Sequence, residues 1–109
     1  MNVLFICSKN EWRSRTAETI FRKETRFRAK SAGTSRTARI RVSVSLIDWA
    51  DLIFVMEPHH KERLLELYGG PVDKEIVVLH IPDEYQYMDE ELISELQDSV
   101  SYHLSDSEE

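Results

Sequence analysis

Apolar and polar positions along this chain fall into short blocks with two different periods. Val3 to Ile6 is an unbroken apolar run, β-branched or aromatic at three of four positions, with no turn residue inside it. It predicts a short buried strand over Asn2–Ile6. Comparable runs predict strands over Phe27–Ser31, Asp51–Met56 and Glu75–His80. Helical spacing fills the gaps. Ser14–Phe27 reads as a helix with Ala17, Ile20, Phe21 and Glu24 in its pattern and Arg22 and Lys23 on the wet side. Val42, Leu46 and Trp49 have the i, i+4, i+7 spacing of a short amphipathic helix. Glu57-Pro58 opens a third helix, with Pro58 in its first turn, Leu64, Leu65, Leu67 and Tyr68 on its buried side and Gly69-Gly70 as its stop. Asp89 is placed to cap a last helix carrying Leu92, Ile93, Leu96 and Val100.

Strands alternating with helices predict an α/β domain with a parallel sheet and helices on both faces. Right-handed crossovers, with the winding reversed after the first strand, give a four-stranded sheet of order 2-1-3-4. The crevice at that reversal lies outside the carboxyl end of strand one, where ligands bind in folds of this class. Cys7 stands there.

Composition narrows the class. A chain of 109 residues, 41% hydrophobic and 31% charged, fits one soluble globular domain. The domain is expected over 1–104, with a frayed acidic tail over 105–109. No apolar run approaches the roughly 18 residues of a membrane span, and no leader-like segment opens the sequence. A single cysteine cannot form an internal disulfide, which points to a reducing compartment and a cytoplasmic location. The net charge of −6 conceals an asymmetry: residues 1–45 hold 11 Lys/Arg against 3 Asp/Glu, and residues 46–109 hold 3 against 17. An anionic partner suits the basic half. No recognisable nucleic-acid motif accompanies that charge, no dinucleotide fingerprint is present, and His59, His60, His80 and His103 have no metal-ligand spacing, the adjacent pair being expected to point apart.

The segment Cys7-Ser8-Lys9-Asn10-Glu11-Trp12-Arg13-Ser14 joins the first strand to the first helix. Its backbone N–H groups can turn inward as a nest at a helix N-terminus, which holds a tetrahedral dianion. Arg13 can grip two phosphate oxygens with its planar fork. The same positive field stabilises a thiolate at Cys7, and the Ser14 hydroxyl can donate to it. Asn10 tolerates a left-handed conformation and can hold the loop.

This loop resembles the active-site loop of the low-molecular-weight protein tyrosine phosphatases, C-x-x-N-x-x-R-S. Cys7, Asn10, Arg13 and Ser14 fall on the matching positions, and Ala17-Glu18 match the start of the following helix. Ser31-Ala32-Gly33-Thr34 resembles the segment after strand two, and "DLIFVME" resembles strand three. The resemblance implies that Cys7 is a nucleophile forming a phosphocysteine and that Arg13 binds the phosphate and stabilises the transition state. It also marks departures. The chain is shorter than typical members, Glu11 puts a carboxylate in the loop, Arg15 replaces a proline, and Ile81-Pro82-Asp83-Glu84-Tyr85 reverses the usual Asp-Pro order. This last segment resembles that of a compact bacterial branch of the family.

Asp83 follows strand four and should reach the same sheet edge as Cys7. A carboxylic acid there can protonate a leaving oxygen and then deprotonate the attacking water. Glu84 and Asp89 are alternative acids, and Asp89 also reads as a helix cap. Trp12 and Tyr85 are candidate walls for an aromatic leaving group, with Tyr87 nearby, whereas Trp49 has core spacing. The expectation is a cysteine-dependent phosphatase acting on a phosphorylated protein or a small aryl phosphate, without metal or cofactor. Two alternatives stay open: a non-catalytic module binding phosphate or an anionic partner, and an arsenate reductase-like enzyme resolved by an external thiol. The oligomeric state stays open too.

Overall fold

Val3, Leu4, Phe5 and Ile6 are all inaccessible to solvent, because the strand that carries them has a neighbour on each side and helices above and below. The structure is a computed structural model that describes residues 1–68 and 73–106. The elements follow in the order β1 (Asn2–Cys7), α1 (Arg13–Ile20), β2 (Arg28–Gly33), α2 (Val44–Trp49), β3 (Leu52–Val55), α3 (Pro58–Leu67), β4 (Glu75–Val78) and α4 (Glu90–Asp106). The four strands form one sheet of order β2-β1-β3-β4, and every pairing is parallel. This is the expected α/β architecture. Among the described residues, no helix is long and apolar enough to cross a membrane.

Alternation along β1 divides the core in two. Val3, Phe5 and Cys7 face a cluster with Ala17 of α1 and with Leu92, Leu96, Val100 and Leu104 of α4. Leu4 and Ile6 face the other cluster, with Ile47 of α2 and Leu64 of α3. Phe5 anchors the first, its ring stacked between Phe21 and Phe54 at centroid separations of 5.7 and 5.5 Å.

The boundaries differ from the expected ones in instructive places. Helix α1 stops at Ile20, well before Phe27. The chain reverses there because Phe21 and Phe27 pack together at 5.4 Å, and the Glu24 carboxylate accepts from the Thr25 and Arg26 backbone N–H groups to close the turn. Strand β2 runs on to Gly33 because Ala32 and Gly33 pair with Ile6 and Cys7. Val42 is buried ahead of α2, and Ile47 is the helix's own buried residue. In α3 only Leu64 of the four expected apolar residues is fully buried, and His60 is buried beside it. The expected stop at Gly69-Gly70 lies outside the described residues. Asp89 caps α4, its Oδ1 accepting from Glu91 N–H at 2.9 Å and Leu92 N–H at 3.4 Å. That helix continues through Ser105 and Asp106, the first two residues of the expected tail.

Candidate active site

Strand β1 ends at Cys7 and α1 begins at Arg13, so five residues turn the chain between them. Asn10 makes the sharpest bend, with φ of 57°, a left-handed conformation that an asparagine accepts more readily than most residues. Its Nδ2 donates to Ser14 Oγ at 2.7 Å. Cys7 Sγ lies 3.0 Å from the same oxygen, and the Ser14 hydroxyl also reaches the Ala32 carbonyl at 3.4 Å. Asn10, Ser14 and the thiol thus form one buried hydrogen-bonded chain.

Gly33 shows how tightly the loop is held from β2. A Cβ at this position would lie 2.3 Å from the Ser8 carbonyl oxygen, 2.7 Å from Ala38 Cβ and 3.0 Å from Asn10 N. Only glycine lets the two segments touch. Just beyond it, Thr34 N–H donates to the Cys7 carbonyl at 3.0 Å and Ser35 N–H to the Ser8 carbonyl at 2.9 Å.

Arg13 is 3% exposed. Its Nη1 donates to the Ile81 carbonyl at 2.8 Å and lies 3.3 Å from Glu57 Oε2. Burial alone would raise the Glu57 carboxyl, but His59 and Arg13 outweigh it and hold the group below the usual carboxylate range. Glu57 is therefore an anion that orients Arg13. The Asp83 carboxylate approaches the other side of the guanidinium, 3.7 Å from Nε.

His60 completes the surroundings. Glu57 N–H donates to its Nδ1 at 3.1 Å, so Nε2 carries the proton and donates to Ser8 Oγ at 2.9 Å. Burial, reinforced by His59 and Arg13, pushes its pKa down to about 3, so the ring is neutral. Above the loop a cavity of about 250 Å³ is lined by Cys7, Ser8, Lys9, Glu11, Trp12, Arg13 and Asp83.

The fold has counterparts among solved structures. SP-PTP, a low-molecular-weight protein tyrosine phosphatase from Streptococcus pyogenes, superimposes with a TM-score of 0.74 at 19% identity, over 93% of this chain and 91% of its own. The tyrosine phosphatase Wzb from Escherichia coli K30, in complex with phosphate, gives 0.74 at 22% identity over 96% of both chains. The YwlE arginine phosphatase from Geobacillus stearothermophilus gives 0.72 at 17% identity, over 97% and 94%. The chain has the low-molecular-weight protein tyrosine phosphatase fold. No protein-family model matches the sequence, and no curated protein sequence matches it either.

Within this phosphatase fold, most residues singled out from the sequence converge. Cys7, Ser8, Lys9, Glu11, Trp12, Arg13 and Asp83 share the cavity, while Asn10 and Ser14 sit buried behind it. Glu11 is exposed on the rim. Tyr85 is the correction: it is 8% exposed, packs in the α1/α4 cluster, and donates to Glu95 Oε1 at 3.3 Å, so it lines no part of the cavity. Trp12 is the aromatic residue among those lining the cavity. Tyr87 lies outside too, with the Arg15 guanidinium 4.5 Å over its ring.

Glu57 and His60 were missed as site residues, because their sequence signal is that of an ordinary helix start. The histidine pair is also corrected, since His59 and His60 do not point apart but sit with ring centroids at 4.0 Å. With Glu57 they bring three potential metal ligands within 4.8 Å. His60 spends both nitrogens on hydrogen bonds, and His59 Nε2 bonds Glu57 Oε2 at 2.6 Å. The cluster is explained without an ion.

Proposed function

We propose that this chain is a cysteine-dependent phosphatase hydrolysing phosphotyrosine or another aryl phosphate monoester through a phosphocysteine intermediate. The observation that carries the reading is the thiol of Cys7, 3.0 Å from the buried Ser14 hydroxyl, in the same cavity as the clamped guanidinium of Arg13. The loop N–H groups, the start of α1 and Arg13 hold the phosphoryl oxygens. The Cys7 thiolate attacks phosphorus, forming the S–P bond as the P–O bond to the leaving group breaks. Asp83, protonated, gives its proton to the departing oxygen. In the second step Asp83 takes a proton from water, the hydroxide displaces sulfur, and inorganic phosphate leaves with the thiolate restored.

Asp83 suits the proton role by position and exposure. It is 61% exposed in its side chain, lies 3.7 Å from Arg13 Nε and lines the cavity that holds Cys7. An arsenate reductase-like cycle would need a second thiol from outside, because Cys7 is the single cysteine.

One observation favours a second substrate. Glu11 and Asp83 put two carboxylates around the cavity, and these attract a cationic leaving group such as the guanidinium of phosphoarginine. An arginine phosphatase is among the structures this chain is similar to.

The test is turnover of phenyl phosphate, phosphotyrosine and phosphoarginine by the pure protein, beside Cys7→Ser. Release of phosphate that Cys7→Ser abolishes is expected, together with phosphate protection of Cys7 from alkylation. Absent turnover with retained phosphate protection would favour the binding-module alternative.

A further inference from the structure

The phosphate loop is braced by a strap, residues 34–41, that leaves β2 and returns to it. Gly33 N–H donates to the Ile40 carbonyl at 2.8 Å and Val42 N–H to the Gly33 carbonyl at 2.9 Å, so the strap closes on itself. Its inner edge is bonded to the loop. Arg39 N–H donates to the Lys9 carbonyl at 2.9 Å, Arg39 Nε to the Asn10 carbonyl at 3.1 Å, and Lys9 Nζ to Thr37 Oγ1. The strap also carries Arg36 and Arg41, both exposed like Arg39, and exposed Lys9 lines the cavity. None of these four cations pairs with a carboxylate among the described residues.

Across the cavity the sign reverses. Asp83 and Glu84 are exposed after β4, and α4 opens with exposed Glu90 and Glu91. The sheet order places the strap beyond β2 and Asp83 and Glu84 beyond β4, while the start of α4 lies against α1. Four like charges on the strap and the loop it braces repel one another, and an anion laid across them relieves that repulsion. Because the strap is hydrogen-bonded to the loop itself, such an anion lies beside whatever phosphate the loop holds.

We propose that the strap is a docking surface for the residues flanking the phosphorylated one, and that the substrate is a protein segment with acidic residues on that side. The inference rests on the phosphatase reading for the word substrate, and on the strap's geometry for the rest. A nucleic acid fits less well, because its backbone carries charge in both directions and would meet the acidic rim. A peptide can confine its carboxylates to the strap.

Two arms test this. In the first, Cys7→Ser protein is titrated with phosphotyrosine peptides of acidic, neutral and basic flanks, and with a single-stranded oligonucleotide, at low and high salt. The acidic peptide should bind about tenfold tighter than the neutral one at low salt, an advantage that shrinks with salt and with Arg36→Glu/Arg41→Glu. In the second, wild-type kcat/KM for the acidic peptide is divided by that for phenyl phosphate, and the same double variant should lower this ratio about tenfold.

Hydrolysis of phenyl phosphate without any acidic preference, or with one that ignores the double variant, overturns the docking surface. Tighter binding of the oligonucleotide than of the acidic peptide overturns it as well. An acidic preference without phenyl phosphate hydrolysis keeps the docking surface and removes the phosphatase reading.

Discussion

His60 Nε2 donates to Ser8 Oγ across 2.9 Å, and the direction of that bond is fixed from the far side of the ring. The Glu57 N–H occupies Nδ1, so the proton must sit on Nε2. Ser8 Oγ therefore accepts from His60, and its own proton is free for the cavity that Ser8 lines.

Ser8→Ala and His60→Gln test that coupling. If Ser8 serves as a donor set by His60, each change should lower kcat/KM for an aryl phosphate by roughly tenfold, the value of one hydrogen bond to a charged group. The double variant should be little worse than either single one. His60→Gln retains an N–H donor and should be milder than His60→Ala. Additive losses in the double variant would show that the two act separately.

The same histidine ties stability to pH. Its folded pKa, about 3, lies below the ordinary value of 6.5. Below pH 6.5 the unfolded chain binds a proton that the folded one refuses, so His60 makes stability fall as pH drops from there toward 3. Glu57 acts in the same direction at lower pH, since its depressed carboxyl stabilises the fold above the usual carboxylate range and loses that effect as it protonates. Urea midpoints at pH 7 and 5.5 should differ in the wild type and draw together in His60→Gln. An unchanged difference would assign the effect elsewhere.

Arg13→Lys keeps the charge and removes the planar fork that Ile81 and Glu57 hold. Activity should fall by orders of magnitude with the fold intact by circular dichroism. Glu57→Gln should cost roughly tenfold, because the guanidinium keeps its bond to Ile81 while losing its ionic partner. Near-full activity in Arg13→Lys would refute the two-oxygen grip.

Asp83→Asn separates an acid from a shaping residue. Aryl phosphates with basic leaving groups should slow most, and those with acidic leaving groups should be spared. The first chemical step must be followed, because phosphocysteine hydrolysis can hide the effect. Equal losses across the series would transfer the proton to Glu84.

Gly33→Ala places a methyl group 2.3 Å from the Ser8 carbonyl. Something must move, at a cost of about 1–3 kcal/mol or more. Both a lower melting temperature and weaker phosphate protection of Cys7 are expected, since the displaced group is the phosphate loop itself.

The order of strands was legible because Val3–Ile6, the third strand and the intervening helices each carry a clear period, and the reversal after β1 put Cys7 at the crevice. The loop residues were legible for a simpler reason: they are neighbours in sequence. Glu57 and Ile81 reach Arg13 from residues 44 and 68 positions away, and periodicity contains nothing about such meetings. His60 was hidden by its own context, a polar residue in the first turn of a helix that opens with Glu-Pro. Tyr85 failed as a wall because proximity to Asp83 in sequence does not fix which way a side chain leaves the backbone; the aromatic ring went to the core, where burial is worth more.

Residues from α4 and from β1 share one apolar cluster, almost the whole chain apart in sequence. On a ribosome, α4 is the last described element to emerge. Until it does, the face of β1 bearing Val3, Phe5 and Cys7 lacks Leu92, Leu96, Val100 and Leu104 from its cover. Ile81 and Asp83, which fix the guanidinium, also arrive late. Contacts of such long range fold slowly. The apolar surround of the Cys7 thiol is thus completed only when the final helix docks.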